Sequence, residues 1–253
     1  MKIYNLLLEK EAKEVLDSLL TLDDKVYIVG GYVRDLLSKG YADDVDILIS
    51  QKIYDAIING KLKDFEIKKV GTKNTKIIYI LEYKKFYIFD ISILETDLKT
   101  DMLNRDFTMN ALAINYKTKD LIDYVNGVED IKNKTIRAIG NPEDVFKYDP
   151  IRMLRALRFA AKLEFKIEEN TFAAIVKLKD LLKTVSPTRI HMELLKGTEN
   201  NYVEYFKLLE KTGIIYLLFP EFEGMKKLMH DARGQHYNES LYQHIIDVLM
   251  KIE

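Results

Sequence analysis

The spacing of apolar residues changes partway along the chain, at about residue 140. Before that point, short runs rich in Ile and Tyr are mixed with helical stretches, whereas afterwards apolar residues recur at helical spacing. The pattern predicts an α+β domain over residues 1–140, a nearly all-α domain over residues 141–200 and a further helical segment over residues 201–253.

The first half combines one amphipathic helix with a series of strand-like runs. Helical periodicity covers residues 8–20, a β-rich run closed by glycine covers residues 25–30, and a short helix is predicted over residues 31–40. The further strand candidates are DVDILIS, FEIKKVG, TKIIYILE and KFYIFDISIL. The last two are expected to form a hairpin through the polar turn at residues 83–85.

The second half is predicted to consist of helices that prolines separate. The helical segments are EDVFKYDPIRMLRALRFAAKLEFKI, ENTFAAIVKLKDLL, SPTRIHMELLKG and NYVEYFKLLEKTG. Pro142, Pro150, Pro187 and Pro220 fall where such helices are expected to start or stop.

Charge and composition exclude several classes of protein. The formal net charge is -1, so any nucleic-acid surface has to be a local basic patch. The absence of Cys excludes disulfides and thiolate metal sites, and it fits the reducing cytoplasm, which is the expected location. The N-terminus lacks a basic region followed by an apolar run, so we expect no signal peptide, and no apolar run is long enough to span a bilayer.

A pair of glycines at the end of a predicted strand forms the first candidate site. Gly30 and Gly31 allow a sharp turn and a close approach to a ligand, and the following helix offers free N–H groups to a phosphate. Arg34 lies one turn into that helix, followed by Asp35, and adds positive charge. The alternative is a tight strand–helix connection without a ligand.

Paired carboxylates follow this turn. In a strand, Asp44 and Asp46 would point to the same face, where they would repel each other and raise each other's pKa. Two such acids are suitable ligands for Mg²⁺ in phosphoryl transfer. The alternative is a solvated acidic turn. Asp90, in an otherwise apolar run, either joins this metal site or faces solvent.

The segment NRDFTMNALA carries the second candidate site. Asp106 is predicted to cap a helix, and Arg105 beside it has the fork that fits a phosphate or ribose. Asn110, one turn later, is positioned to contact a sugar hydroxyl. The alternative is a capped core helix with no ligand.

Regularly spaced arginines mark the third candidate site. Asp149 is predicted to cap a helix with Pro150 at its first position. Arg152, Arg155 and Arg158 then recur every third residue and form a basic stripe. Such a stripe is often a solvated face, but an Asp followed by an Arg three positions later can also present acceptors and donors to the edge of a base.

Together these motifs resemble the class II family of tRNA CCA-adding enzymes and bacterial poly(A) polymerases. VGGYVRD with DVD, RDFTMNALA, the ID-(x)3-G-(x)2-D run of residues 122–130 and DPIRMLRALRFAAKL occur in one order. The similarity extends from about residue 25 to about residue 220 and includes SPTRIHMELLK and TGIIYLLFPE. It implies a polymerase-β-like nucleotidyltransferase head, followed by an all-α neck and a partial body.

The resemblance also implies roles for individual residues. Gly30 and Gly31 would cradle the triphosphate with Arg34 beside them, while Asp44 and Asp46 would bind two Mg²⁺ ions and activate the 3′ hydroxyl of tRNA. In the same way, Arg105 and Asp106 match ribose and phosphate contacts of the family. Asp149 and Arg152 match the amino-acid template that pairs with the base of CTP or ATP, and Arg155 and Arg158 continue that helix toward nucleotide and RNA.

Three features depart from the family pattern. Tyr148 stands where the template motif usually has Glu, so the sequence leaves open what holds Arg152. The connection TDLKTDML is too short to supply the flexible loop that many relatives use in switching to ATP. His244 resembles the first ligand of an HD domain, but no His-Asp pair follows. Residues 201–253 are therefore interpreted as a helical body that is either a truncated HD-type domain or the start of another body domain.

Three classes of function therefore remain open at the level of sequence. The first is addition of CCA to tRNA 3′ ends. The second is the same chemistry with a narrower or different product, namely CC alone, A alone or poly(A), and the short connection favours CC addition. The third is a non-catalytic RNA- or nucleotide-binding module, against which the intact acids Asp44 and Asp46 argue.

Overall fold

The computed structural model describes residues 2, 3, 6, 8–42, 44–70, 78–199, 201–227 and 247–248. The chain divides into two compact units, residues 1–133 and residues 134–253. Parts of the predicted strands FEIKKVG and TKIIYILE, and His244, lie outside the described residues. Within the described ranges, no helix is both long enough and apolar enough to cross a membrane.

The first unit is an α+β domain, as predicted from the mixed period of its sequence. Its helices are α1 Lys10–Leu20, α2 Gly31–Lys39, α3 Gln51–Ile58, α4 Leu98–Leu103 and α5 Gly127–Lys132, with one 3-10 turn at Thr108–Asn110. Its strands are β1 Val26–Val29, β2 Asp46–Ser50, β3 Phe65–Val70, β4 Ile78–Tyr83, β5 Phe86–Leu94, β6 Leu112–Asn115 and β7 Leu121–Asp123.

These strands form one sheet in the order β3-β4-β5-β2-β1-β6-β7. Strands β2 and β5 are parallel, and the other neighbours are antiparallel. The predicted hairpin between β4 and β5 is confirmed, and Lys84 and Lys85 at its turn both have positive φ. Because β1 and β2 lie in the middle of the sheet, their side chains form much of the core.

The second unit is mainly helical. Its helices are α6 Pro142–Tyr148, α7 Ile151–Leu163, α8 Glu169–Leu178, α9 Pro187–Thr198, α10 Tyr202–Thr212, α11 Ile214–Leu218 and α12 Glu221–Lys227, with a 3-10 helix at Lys179–Thr184. Helix α7 buries Met153, Leu154 and Leu157 and packs against α9 and α10. The division of this unit at residue 200 stays a prediction.

The prolines separate helices of the second unit, as predicted. Helix α6 begins at Pro142 and ends at Tyr148, and α7 begins at Ile151, so the predicted break at Pro150 is confirmed. Besides its helices, the unit contains one short parallel pair of strands, β8 Thr135–Ile136 and β9 Lys166–Ile167. The left-handed conformation of Glu164 ends α7 and turns the chain into β9.

Candidate nucleotidyltransfer site

The glycine turn between β1 and α2 is the centre of the candidate site in the first unit. Gly30 has φ +67 and ψ -129, a conformation in which a residue with a side chain would be strained. A Cβ atom on Gly30 would lie 3.3 Å from Nη1 of Arg105 and 3.4 Å from Oδ2 of Asp46. Gly31 is likewise close to Arg34 and Asp46. Glycine therefore lets charged side chains approach the backbone at the start of α2.

Asp46 and Asp90 lie side by side on this sheet. Asp46 begins β2, and Asp90 is its register partner on the parallel strand β5, so both side chains point to the same face. Burial, followed by repulsion from Asp90 and Asp44, raises the pKa of Asp46 to about 6, although Arg105 and Arg34 act in the opposite direction. Of the two placements predicted for Asp90, the structure favours the one beside the acids over the one in solvent.

Asp44 is placed differently from the prediction. The strand begins only at Asp46, so Asp44 lies before it and is exposed, rather than on a shared strand face. It is nevertheless close enough to Asp46 to contribute to its raised pKa. Asp46 itself is half-buried, so the alternative of a solvated acidic turn does not describe it.

The acids of this site offer carboxylate oxygens, which are suitable ligands for Mg²⁺. Among the residues that the structure describes, no three His, Cys, Asp or Glu side chains gather closely enough to hold a metal by themselves. Mg²⁺ commonly takes only one or two carboxylates and completes its shell with water and substrate phosphates. A half-buried Asp46 that is repelled by two other carboxylates fits that mode of binding, because a cation would relieve the repulsion.

A chain of hydrogen bonds fixes Arg34 beside the glycine turn. Arg34 is buried, and it donates from Nε to Asp35 (2.8 Å) and from Nη1 to Oδ1 of Asn110 (2.8 Å). The amide of Asn110 in turn donates to Oδ1 of Asp106 (3.1 Å). The network thus contains four predicted site residues, namely Arg34, Asp35, Asn110 and Asp106. Its hydrogen bonds hold the guanidinium of Arg34 in a fixed orientation.

Asp106 has a different local role from the predicted one. No α-helix follows it, because residues 108–110 form a single 3-10 turn that leads into β6. Its carboxylate accepts from the backbone N–H of Phe107 (2.8 Å) as well as from Asn110. The predicted helix cap, and the alternative of a capped core helix, are therefore both wrong.

Arg105 is held by a residue that sequence reasoning missed. Its Nε and Nη2 donate to Oδ2 of Asp101 at 3.2 and 3.1 Å, and its Nη1 donates to the carbonyl of Asn110 at 3.2 Å. Asp101 precedes Arg105 by four residues, a spacing that would have indicated the pair if the short helix α4 had been recognised.

Residues of the ID-(x)3-G-(x)2-D run contact the Arg105–Asn110 segment. Asp130, in α5, accepts from the hydroxyl of Thr108 (2.7 Å) in the 3-10 turn. Asp123 accepts from the backbone N–H groups of Val125, in the loop before α5, and of Gly127 and Val128, which begin α5. Gly127 lies so close to the carbonyl of Thr108 that a Cβ atom would clash there. This motif therefore positions the Arg105–Asn110 segment.

In the second unit, two residues of α9 hold charged side chains at α7, the arginine helix: Asp149, which precedes it, and Arg158, which lies in it. Arg189 donates from Nη2 to Oδ2 of Asp149 (2.8 Å), and Glu193 accepts from Nε of Arg158. Asp149 is the residue after α6, and its side chain does not cap α7, contrary to the prediction. Arg189 and Glu193 are four residues apart, which places them on one face of α9.

All three arginines of α7 contact aromatic rings. The guanidinium carbon of Arg152 lies 5.1 Å from the ring centroid of Tyr148, and those of Arg155 and Arg158 lie 5.3 and 4.2 Å from that of Phe159. Arg158 has only 11% of its side chain exposed, so the alternative of a simple solvated stripe fails for this residue.

Comparisons with known proteins agree with these motifs. Residues 26–137 match a family model described as the poly A polymerase head domain. Residues 164–226 match a second model, described as the probable RNA and SrmB-binding site of polymerase A. The first match contains the glycine turn and the acids, and the second contains α9.

Individual relatives are similar over most of this chain. The CCA-adding enzyme of Enterococcus faecalis is 38% identical over 201 residues, which are 74% of this chain and 48% of that enzyme. The crystal structure of the Bacillus stearothermophilus CCA-adding enzyme in complex with CTP aligns with a TM-score of 0.67 and 31% identity, over 82% of this chain and 53% of the other.

The Thermotoga maritima CCA-adding enzyme complexed with tRNA aligns with a TM-score of 0.73 and 30% identity, over 85% of this chain and 54% of the other. The chain thus spans about half the length of these relatives. The resemblance inferred from the motifs is confirmed by both family models and by these relatives. The chain belongs to the family of tRNA CCA-adding nucleotidyltransferases and bacterial poly(A) polymerases.

Proposed function

We propose that this chain transfers CMP and AMP from CTP and ATP to the 3′ end of tRNA, without a nucleic-acid template. The observation that carries the proposal is the half-buried carboxylate of Asp46, which lies against a glycine turn and beside a second acid. A site with crowded negative charge next to a phosphate-binding type of turn suits metal-assisted phosphoryl transfer. Its proposed substrate also favours the cytoplasm as the place of action.

In this proposal Asp44 and Asp46 hold Mg²⁺, and Asp90 is a third candidate ligand. When bound, the ion would neutralise phosphate charge and favour the ionised form of the attacking 3′ hydroxyl. Burial, together with repulsion from Asp90 and Asp44, raises the pKa of Asp46, and this supports the assignment because a bound cation would relieve the repulsion.

Other residues of the first unit would orient the triphosphate and the sugar. The backbone at Gly30 and Gly31 would approach the phosphates, with the guanidinium groups of Arg34 and Arg105 adding positive charge. Because Asp35, Asp101 and Asn110 already fix these two guanidinium groups, their donors need little reorganisation when the substrate binds. Asp106 and Asn110 are the proposed neighbours of the ribose.

Residues of the second unit would select the base. Asp149 supplies acceptors and Arg152 supplies donors, a combination that can pair with the edges of cytosine and adenine. A site of this kind discriminates strongly, because a wrong base leaves its polar groups without partners. Arg155 would extend the basic surface toward nucleotide and RNA. Arg158, whose side chain is largely buried, would continue the helix in that direction, and its contact with Glu193 holds that part of the helix.

One observation favours a narrower product as the second candidate. Strand β5 ends at Leu94 and α4 begins at Leu98, so three residues connect them, and α4 runs directly to the Arg105 segment. The described connection therefore contains no long loop. If such a loop is needed for the switch to ATP, the protein would add C and C but add the terminal A poorly.

The direct test uses purified protein with tRNA that lacks part or all of its CCA end, together with each labelled nucleoside triphosphate separately. The proposal expects incorporation from CTP, no incorporation from UTP or GTP, and a dependence on Mg²⁺. Termination at CCA, at CC or after A, or continued addition of A, identifies the product. Absence of transfer with every triphosphate, despite nucleotide binding, would favour the non-catalytic binding module.

A further inference from the structure

Tyr148 is exposed at the junction between two helices of the second unit. It is the last residue of α6, and 80% of its surface is exposed, which is unusual for so large an aromatic side chain. The guanidinium carbon of Arg152, in the first turn of α7, lies 5.1 Å from the centroid of its ring. This distance is within the range of a cation–π contact.

Within the same helix, Arg158 is restrained by contacts of two kinds. Arg158 donates from Nε to the carboxylate of Glu193, and its guanidinium carbon lies 4.2 Å from the ring centroid of Phe159. An aromatic ring attracts a guanidinium through the negative charge of its face, so it restrains the group without forming an ion pair. The contact with Tyr148 is therefore one restraint on the orientation of Arg152.

We propose that Tyr148 is a positioning residue for Arg152, and that its ring orients the guanidinium toward the edge of the incoming base. The inference rests on the proposed function for the role of Arg152 in base selection. The ring acts here through its face, so the hydroxyl group of Tyr148 is not required. Because Tyr148 is exposed, its replacement is expected to leave the fold intact.

The test compares Tyr148→Ala and Tyr148→Phe with the wild-type chain, with Tyr124→Ala as the matched control. Tyr124 is another exposed tyrosine, with 44% of its surface exposed. The measurement is the ratio of the affinities for CTP and UTP, each determined by equilibrium titration in the presence of Mg²⁺, together with kcat and KM for transfer from CTP. Thermal unfolding of each variant checks the fold.

Tyr148→Ala should lower the CTP to UTP ratio about two- to fivefold, the range expected for an exposed cation–π contact. Tyr148→Phe and Tyr124→Ala should keep the wild-type ratio. If Tyr148 acts through Arg152, adding Tyr148→Ala to Arg152→Ala should cause no further change in the ratio.

The outcomes separate this inference from the proposed function. If the wild-type protein prefers CTP and the Tyr148→Ala variant keeps the wild-type ratio of CTP to UTP affinities, the inference alone is overturned. A Tyr148→Phe variant as impaired as Tyr148→Ala, or an additive effect in the double variant, would also overturn it. A wild-type protein that neither transfers nucleotides nor prefers CTP would overturn the proposed function, and the inference with it.

Discussion

The acid site of the first unit and the arginine helix of the second unit differ in how their charged side chains are arranged. In the first unit, like charges are brought together, because Asp46 and Asp90 are register partners. Burial, together with this repulsion, raises the pKa of Asp46 to about 6. In the second unit, opposite charges are paired, with Arg158 held by Glu193 and Asp149 by Arg189. We therefore expect an added cation to stabilise the first arrangement and not the second.

This difference indicates different tasks. A cluster of like charges costs folding free energy and is suited to a site where positive charge arrives with the substrate. Paired charges keep side chains in fixed orientations, which is what discrimination between bases requires. We therefore expect changes in the first unit to affect the rate of transfer, and changes in the second unit to affect the choice of nucleotide.

The largest effect is expected for the acids themselves. Replacing Asp44 or Asp46 by Ala should lower transfer from CTP by at least about 1,000-fold, because ligands for the metal in phosphoryl transfer would be lost. The exposed acid Asp64 provides a matched control, and Asp64→Asn should keep the wild-type rate. Single-turnover extension of tRNA is the measurement. Near-full activity of Asp44→Ala would refute its role as a ligand.

A second test concerns the step that adds A. The three-residue connection between β5 and α4 leaves no long loop to complete the site, and an incompletely positioned substrate can react about 100-fold more slowly. Transfer of AMP to tRNA ending in CC should therefore be about 100-fold slower than transfer of CMP to tRNA lacking CCA. RNA binding should be unchanged. Rapid and complete conversion to tRNA-CCA would show that no such loop is needed.

A smaller effect is expected for the contact that holds Asp149. Arg189→Gln should lower the preference for CTP over UTP by about three- to tenfold, since it removes a charge-assisted hydrogen bond that is partly exposed. Lys183→Gln is the control, because it breaks the exposed pair with Asp180 on the same unit. Parallel titrations with both nucleotides measure the ratio. Equal loss of affinity for CTP and UTP would instead make Arg189 a general contact.

The last prediction concerns stability and not activity. Because the pKa of Asp46 is about 6 in the folded protein, against an ordinary value of 3.8, ionisation of this carboxyl weakens the fold as pH rises through about 6. Asp46→Asn should therefore raise the free energy of unfolding by about 1–2 kcal/mol at pH 8, with chelator present, and by almost nothing at pH 4. Chemical denaturation at both pH values measures it, and a destabilised variant at pH 8 would contradict the account.

Local patterns in the sequence were sufficient for much of the fold. Strands β1, β2 and β5 and helices α1, α2, α9 and α10 were predicted, because each shows clear periodicity between turn residues. Strands β6 and β7 were missed, since each has only three or four residues. The LAIN run of β6 follows Asp106 and Asn110 so closely that it was interpreted as the continuation of a capped helix.

The site was predictable in its residue types but not in its pairings. The glycine turn and the acids can be recognised along the chain, because their chemistry depends on short spacings. The register between Asp46 and Asp90, and the contact between Asp149 and Arg189, depend on which strands and helices become neighbours. No local pattern contains that information, so the partners of Arg158 and Asp149 emerged only from the packing of α7 against α9.

The division of tasks between the two units is tested most directly in the Asp46→Asn variant. Equilibrium titration with CTP and UTP, and single-turnover transfer to tRNA, should be measured on the same preparation. The account predicts that transfer is lost while the preference for CTP over UTP remains at the wild-type ratio. A variant that loses the preference together with transfer would contradict the separation of chemistry from base choice.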